Sequence, residues 1–272
     1  MSAMTPAHQM FLQAFMARGL LNSKEVKDLF RKSLELNDVQ VPESEEERKR
    51  QLVKFIRTIS DHVSPFHLDI RKGVSEDDGT NFYCLVNNVE NHITKMASDY
   101  SSSELDFFKK LVEQIVENDG AIGSTAALNI VTQDKKLTKN DAQDLLLRLE
   151  NDRWIMQKEG KVSLSIRSIL ELDQYIQDVY PDSVKKCNVC KQICLKGQMC
   201  EDCGVKIHIH CAIRFFHRQE NPRCPDQDCG AQWTHPVPSP SKSHIATSEA
   251  RQAASQSSER PERQTRKRRL DA

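Results

Sequence analysis

Between Cys187 and Cys229, seven cysteines and one histidine fall into four pairs: Cys187-x2-Cys190, Cys200-x2-Cys203, His208-x2-Cys211 and Cys224-x4-Cys229. A tight turn carrying C-x2-C brings two thiolates to one metal, and zinc takes four such ligands in a tetrahedron. Four pairs therefore specify two zinc ions, each fully coordinated by protein and without an open position for a catalytic water. Metal of this kind builds a fold and performs no chemistry itself.

Disulfides are the competing use of so many cysteines. Residues 1–21 lack the basic-then-apolar run and cleavage pattern of a secretory signal, so a reducing, intracellular compartment is expected. Outside the window the chain has one further cysteine, Cys84, in an alternating run (Asn81-Phe-Tyr-Cys-Leu-Val) that reads as a strand with a buried thiol. Within it, Cys194 has no ligand spacing and reads as a small apolar residue. His210 crowds Cys211, whereas His208 has the two-residue gap that a metal pair needs.

Two runs of elements precede the cysteines. Phe11, Leu12, Phe15 and Met16 recur at helical spacing up to Gly19, and Asn22 or Ser23 caps a second helix carrying Val26, Leu29, Phe30 and Leu34. A third helix follows Pro42, with an acidic first turn and a stripe of Leu52, Val53, Ile56 and Ile59. Strands at Phe66–Ile70 and Asn81–Val86 then flank the turn Ser75-Glu-Asp-Asp-Gly79-Thr. Three helices and a β-hairpin make a winged helix.

The order repeats. Leu105, Phe108, Leu111, Val112 and Ile115 share one helix face, Ser124 caps a short helix, and Thr138 starts a third with Ala142, Leu145, Leu146 and Leu149. Strands from Trp154 and Lys161 flank the turn Glu159-Gly160, and a closing helix runs from Ile169 to Val179 before Pro181. Each unit has its own apolar stripe, so both are expected to outlast metal removal.

Lys plus Arg and Asp plus Glu both total 39, so overall charge selects no partner. No apolar run approaches the ~20 residues of a membrane span. Arg48, Lys49, Arg50, Lys54 and Arg57 on the third helix allow a weak DNA contact by the first winged helix, diluted by acidic neighbours. Beyond Trp233 the chain becomes rich in Pro, Ser, Gln and Arg without apolar periodicity, which predicts disorder. The run Arg266-Lys-Arg-Arg269 fits either a nuclear-import signal or a solubilising tail.

RING-type domains and PHD fingers share this ligand order, and both interleave their pairs. That resemblance assigns Cys187, Cys190, His208 and Cys211 to one ion and Cys200, Cys203, Cys224 and Cys229 to the other. A histidine in fifth place suits a PHD finger, but the tryptophan expected two residues before the seventh ligand is Pro222. An apolar residue inside the first knuckle (Val189), a helix after the sixth ligand with Phe215 and Phe216, and Pro225 after the seventh favour a RING-like module.

With Tyr180-Pro-Asp-Ser-Val-Lys-Lys-Cys-Asn-Val-Cys, Gly197-Gln-Met-Cys-Glu-Asp-Cys-Gly and Lys72-Gly-Val-Ser-Glu-Asp-Asp-Gly, the chain over about residues 8–236 resembles the non-SMC element 1 family, the RING-like subunit of the SMC five/six chromosome complex. The expected chain is α+β and multi-domain: tandem winged helices (1–98 and 99–182) from the element order, a two-zinc cross-brace RING-like domain (183–236) as the resemblance implies, and a disordered basic tail (237–272) from composition. The resemblance also implies a nuclear, chromosome-associated ubiquitin ligase acting with a MAGE-family partner in recombinational DNA repair. Val189, Phe215, Phe216 and Pro225 would meet the ubiquitin-conjugating enzyme. The family's usual last pair is C-x2-C, so Cys224-x4-Cys229 is a departure. Gly230, Ala231 and Gln232 after the last ligand also lack the basic residue that RING domains often press on ubiquitin, so activity is expected to depend on the partner. A non-catalytic adaptor and a PHD-like chromatin reader are the alternatives.

Overall fold

A computed structural model describes residues 3–88, 99–131, 137–217 and 219–238. The boundary expected at 98/99 and nearly all of the expected tail, residues 239–272, lie outside the described residues.

The first unit begins with α1 (Pro6–Arg18), which stops at Gly19, in the left-handed region at φ 70°. Strand β1 (Leu20–Asn22) leads into α2 (Ser23–Glu35), capped by Asn22, whose side chain accepts from the Lys24 and Glu25 amides. Glu25 reaches back to the Asn22 amide, so two orphan N–H groups are satisfied reciprocally. Helix α3 (Glu45–Val63) follows, then β2 (Leu68–Val74) and β3 (Asn81–Asn87). The sheet is antiparallel in the order β1-β3-β2, with Leu20 opposite Cys84 and Lys72 opposite Tyr83. Beneath it Phe11, Phe15, Phe30 and Phe55 form an aromatic core, Phe11 and Phe30 meeting Phe55 edge-on at 5.3 and 5.1 Å.

The second unit repeats this layout with α4 (Ser102–Glu117), β4 (Ala121–Gly123), α5 (Ser124–Asn129), α6 (Lys139–Asn151), β5 (Ile155–Lys158) and β6 (Lys161–Leu164). Its antiparallel sheet runs β4-β6-β5. Thr138 caps α6 in a reciprocal box with Asp141, as its position before the apolar stripe suggests. Phe108 and Trp154 pack edge to face at the centre.

Several sequence readings shift. A short strand, β1 or β4, joins each hairpin, and three residues are too few for a period-2 pattern to register. The α3 stripe is Leu52, Phe55, Ile59 and Val63, at successive offsets of three and four; Val53 and Met16 point to solvent at 67% and 66% exposure. Gly123, not Ser124, is the N-cap of α5. The closing helix is two, α7 (Ile166–Glu171) and α8 (Asp173–Val179), broken at Leu172, which is fully buried.

The two units pack directly on each other. Cys84, Leu20 and Val86 of the first sheet lie against Ile166 and Leu170 of α7. A Cβ on Gly73 would sit 2.9 Å from Ile166 Cδ1 and 3.0 Å from the Leu170 methyls, so β2 lies close against α7 and a larger residue there would require those side-chain ends to move. Burial, with Glu171 nearby, pushes the Cys84 thiol up to about 12. Among the described residues no helix is long and apolar enough to cross a membrane.

Candidate metal centre

Three short hairpin-like turns and one helix carry the ligand candidates. Strands β7 (Lys185–Lys186) and β8 (Ile193–Cys194) pair around the first knuckle, where the Cys187 amide donates to Gln192 O and the Lys191 amide to Cys187 O, both at 2.8 Å. Strands β9 (Gln198–Met199) and β10 (Lys206–Ile207) frame the second identically, with Cys200 N–H to Val205 O and Gly204 N–H to Cys200 O. Both turns need a left-handed residue four places after the first cysteine; Gly204 supplies it at φ 71° and Lys191 at φ 62°.

His208 is the N-cap of α9 (Ile209–Phe215), and Cys211 stands in that helix's first turn, so their x2 gap is set by one helical turn. Cys224 and Cys229 belong to a looser turn closed by Cys224 N–H to Ala231 O, 2.8 Å, and Gly230 N–H to Asp226 O, 3.2 Å. The two extra residues bulge outward without separating the thiols from their group.

The ligand atoms gather in two sets of four: Cys187, Cys190, His208 and Cys211, and Cys200, Cys203, Cys224 and Cys229, the atoms of each set lying within 4.8 Å of one another. All eight residues singled out by spacing are thus brought together, in interleaved pairs. His208 Nδ1 lies 3.3 Å from Cys190 Sγ and 3.9 Å from Cys211 Sγ; the Cys203–Cys224 and Cys200–Cys229 sulfurs are 3.5 and 3.9 Å apart. Tetrahedral zinc with Zn–S of about 2.3 Å requires ligand–ligand edges of roughly 3.8 Å, whereas a disulfide needs about 2.05 Å. The donor sets, three thiols with an imidazole and four thiols, fit zinc. Hydrogen bonds with Cys190 and then Cys211 push the Cys187 thiol down, while hydrogen bonds with Cys187 and then Cys190 push Cys211 up, so the thiols of this set share their protons closely.

The sites differ in setting. Cys187, Cys211 and His208 are buried, while Cys203 is exposed and Cys229 half-buried. Arg214 donates to Cys211 Sγ at 3.4 Å. His208 Nε2, facing away from the thiols, meets Ile193 O at 2.8 Å and Glu76 Oε1 at 3.1 Å. Glu76 comes from the turn of the first winged helix, and no spacing rule in the sequence pointed to it. Cys194 is buried beside this group, its thiol directed at Lys196 O, and burial raises its pKa.

Of the four residues expected to meet a conjugating enzyme, Val189 and Phe215 are exposed at 37% and 40%, and Pro225 is partly buried. Phe216 is not on that surface. It is 4% exposed and packs on Trp233, ring centroids 5.3 Å apart, because the α9 face that carries Cys211 and Ala212 turns it inward. Val237, expected in the tail, packs against the same core.

Sequence comparison agrees with this geometry. Residues 8–130 match the family described as Nse1, non-SMC component of the SMC5-6 complex, and residues 187–232 match the RING-like domain. The non-structural maintenance of chromosomes element 1 homolog of Bos taurus is 39% identical over 238 residues, 86% of each chain. The chain belongs to the Nse1 family. Its Homo sapiens homolog is 37% identical over 241 residues, covering 88% of each chain, and the Schizosaccharomyces pombe protein is 26% identical over 165 residues, 60% of this chain and 71% of that one. A solved structure titled Nse1-Nse3-Nse4 complex superposes with a TM-score of 0.77 at 38% identity, covering 87% of this chain and 100% of its own. Tandem winged helices followed by a RING-like module are therefore the architecture that this chain and the Nse1 family share.

Proposed function

We propose that this chain is the RING-type ubiquitin-protein ligase subunit of the SMC5-6 chromosome complex, acting in the nucleus with a MAGE-family partner in homologous-recombination repair. The observation that carries the ligase reading is the exposure of two apolar side chains, Val189 inside the first knuckle and Phe215 on α9. These are the positions at which RING domains receive a conjugating enzyme, with Pro225 beside the seventh ligand. Cys187, Cys190, His208 and Cys211 would hold one structural zinc and Cys200, Cys203, Cys224 and Cys229 a second, and the metal supplies rigidity. Catalysis is then orientation of a charged thioester for attack, with no nucleophile from this chain.

The test is discharge of ubiquitin from a panel of charged conjugating enzymes by the full chain with its MAGE-type partner. Val189→Arg and Phe215→Ala are expected to abolish discharge while leaving two zinc ions per chain. No discharge with any enzyme would end the ligase reading. A weak DNA contact would rest on Lys54 and Arg57, since Arg48 donates to Pro42 O and Glu43 O while Lys49 and Arg50 pair with Glu45 and Glu47.

A structural adaptor is the second reading, favoured by the neutral Gly230-Ala-Gln after the last ligand and by the clamp between the module and the first wing. It expects Val189→Arg to leave repair intact in cells and Cys190→Ala to destroy it. A PHD-type reader is disfavoured, because a methyl-lysine cage needs several accessible aromatic faces, and of Trp233, Phe215 and Phe216 only Phe215 is exposed.

A further inference from the structure

Glu76 is 5% exposed in a turn whose other acids, Asp77 and Asp78, face solvent. An ionised carboxylate is buried only where hydrogen bonds satisfy it. Here Oε1 accepts the Leu195 amide at 2.8 Å and lies 3.1 Å from His208 Nε2, and Oε2 accepts the Lys196 amide at 3.2 Å. All of these partners belong to the metal-binding module, more than a hundred residues further along the chain.

The orientation of His208 gives the contact its meaning. Its Nδ1 faces Cys190 and Cys211, so with Nδ1 on a metal the ring proton is carried by Nε2. A metal-bound imidazole is held in one tautomer and one ring orientation by the acceptor on its other nitrogen. Two acceptors converge there, Glu76 Oε1 and Ile193 O, the first from the first winged helix and the second from the module itself. The Ile193 carbonyl lies on β8, and the carboxylate accepts from the amides two and three residues further on, those of Leu195 and Lys196.

Resting on the zinc reading above, we propose that Glu76 is the positioning residue of the first metal site, through which the first winged helix controls how tightly the RING-like module retains its buried zinc. The second site has no such tie: Cys203 is exposed, its neighbours Cys200, Cys224 and Cys229 are held by amides of their own loops (Asp202, Asp226 and Ala231) and by one another, and among the described residues no carboxylate from a winged helix reaches them. Docking of the first wing and retention of one metal, but not the other, are therefore a single coupled event.

Cobalt substitution reads the sites apart, because a three-thiolate, one-imidazole set and a four-thiolate set absorb differently in the visible. The full chain, loaded with two cobalt ions, is mixed with excess chelator and the two bands are followed separately, alongside zinc content. Glu76→Gln puts an amide donor against the clamped N–H groups, and Glu76→Asp shortens the reach by one methylene. Both are expected to speed metal loss from the imidazole-containing site roughly 10–100-fold, the range for removing such a partner, and to leave the four-thiolate band unchanged. Asp77→Asn breaks the neighbouring Lys196 ion pair, 2.8 Å, without touching His208, and should change neither band.

Equal acceleration of both bands, an equal effect of Asp77→Asn, or no effect of either Glu76 variant would overturn the proposal. Unfolding of both Glu76 variants, seen by circular dichroism, would overturn it too, because the residue would then be holding the fold rather than the imidazole. A wild-type chain that takes up no metal would refute the zinc reading itself, a result distinct from all of these.

Discussion

Phe215 and Phe216 are adjacent, identical in type and opposite in environment, one 40% exposed and the other 4%. Phe216→Ala should therefore destabilise the module by about 3–5 kcal/mol, the usual loss for a buried aromatic, lowering its melting temperature. Phe215→Ala should leave that temperature unchanged and affect only binding to a conjugating enzyme. A thermal scan of the two variants checks this. Cys84 offers a second contrast at this scale. With its pKa raised to about 12 by burial, it is a neutral thiol around neutral pH and is shielded from reagents. At pH 8 iodoacetamide and chelator together should label the metal-site cysteines and spare Cys84, as peptide mass mapping would show; rapid labelling of Cys84 would mean that the first sheet opens readily from α7.

At the scale of elements, local chemistry carried most of the reading. Asn22 and Thr138 sit one residue before amphipathic runs with an acid three places on, and both build reciprocal caps. Thr138→Ala should cost about 1 kcal/mol, measurable as a lower denaturant midpoint for the second unit. The knuckles are equally local, since a cysteine's own amide and carbonyl close each turn. What escaped were the three-residue strands and the break at Leu172. Neither has a sequence pattern of its own: β1 and β4 exist because a hairpin edge lies beside them, and Leu172 ends a helix because a core lies beneath it.

The whole molecule is less modular than its motif order. Ile193 and Leu195 of the metal-binding module belong to the core of the second winged helix, and the buried Lys206 ammonium donates to Leu195 O and to Asp119 of that unit. Chelation should accordingly loosen more than residues 187–229. Amide exchange is expected to rise in the second unit around Asn118–Ala121 and in the Ser75–Thr80 turn, while the phenylalanine core of the first unit stays protected. Exchange confined to the module would show that the contacts contribute little. Gly120, at φ 84° and with its would-be Cβ 2.8 Å from the Leu195 carbonyl carbon, is the tightest point of this joint. Gly120→Ala should lower the stability of both parts together, seen as one cooperative transition moving down.

By itself the sequence determined whatever depends on neighbours a few residues apart: helix faces, caps, hairpin turns and the pairs of thiols that a single turn presents. These follow from backbone geometry and ligand reach, which act over short stretches of chain. Only the tertiary structure decided that Phe216 faces inward, that Val53 faces out, and that Glu76, in a turn that reads as solvated and acidic, is buried against His208. The physical reason is that a residue's burial depends on what packs over it. For Glu76 the covering groups lie on a module more than a hundred residues away, which meets the second winged helix at the joint around Gly120.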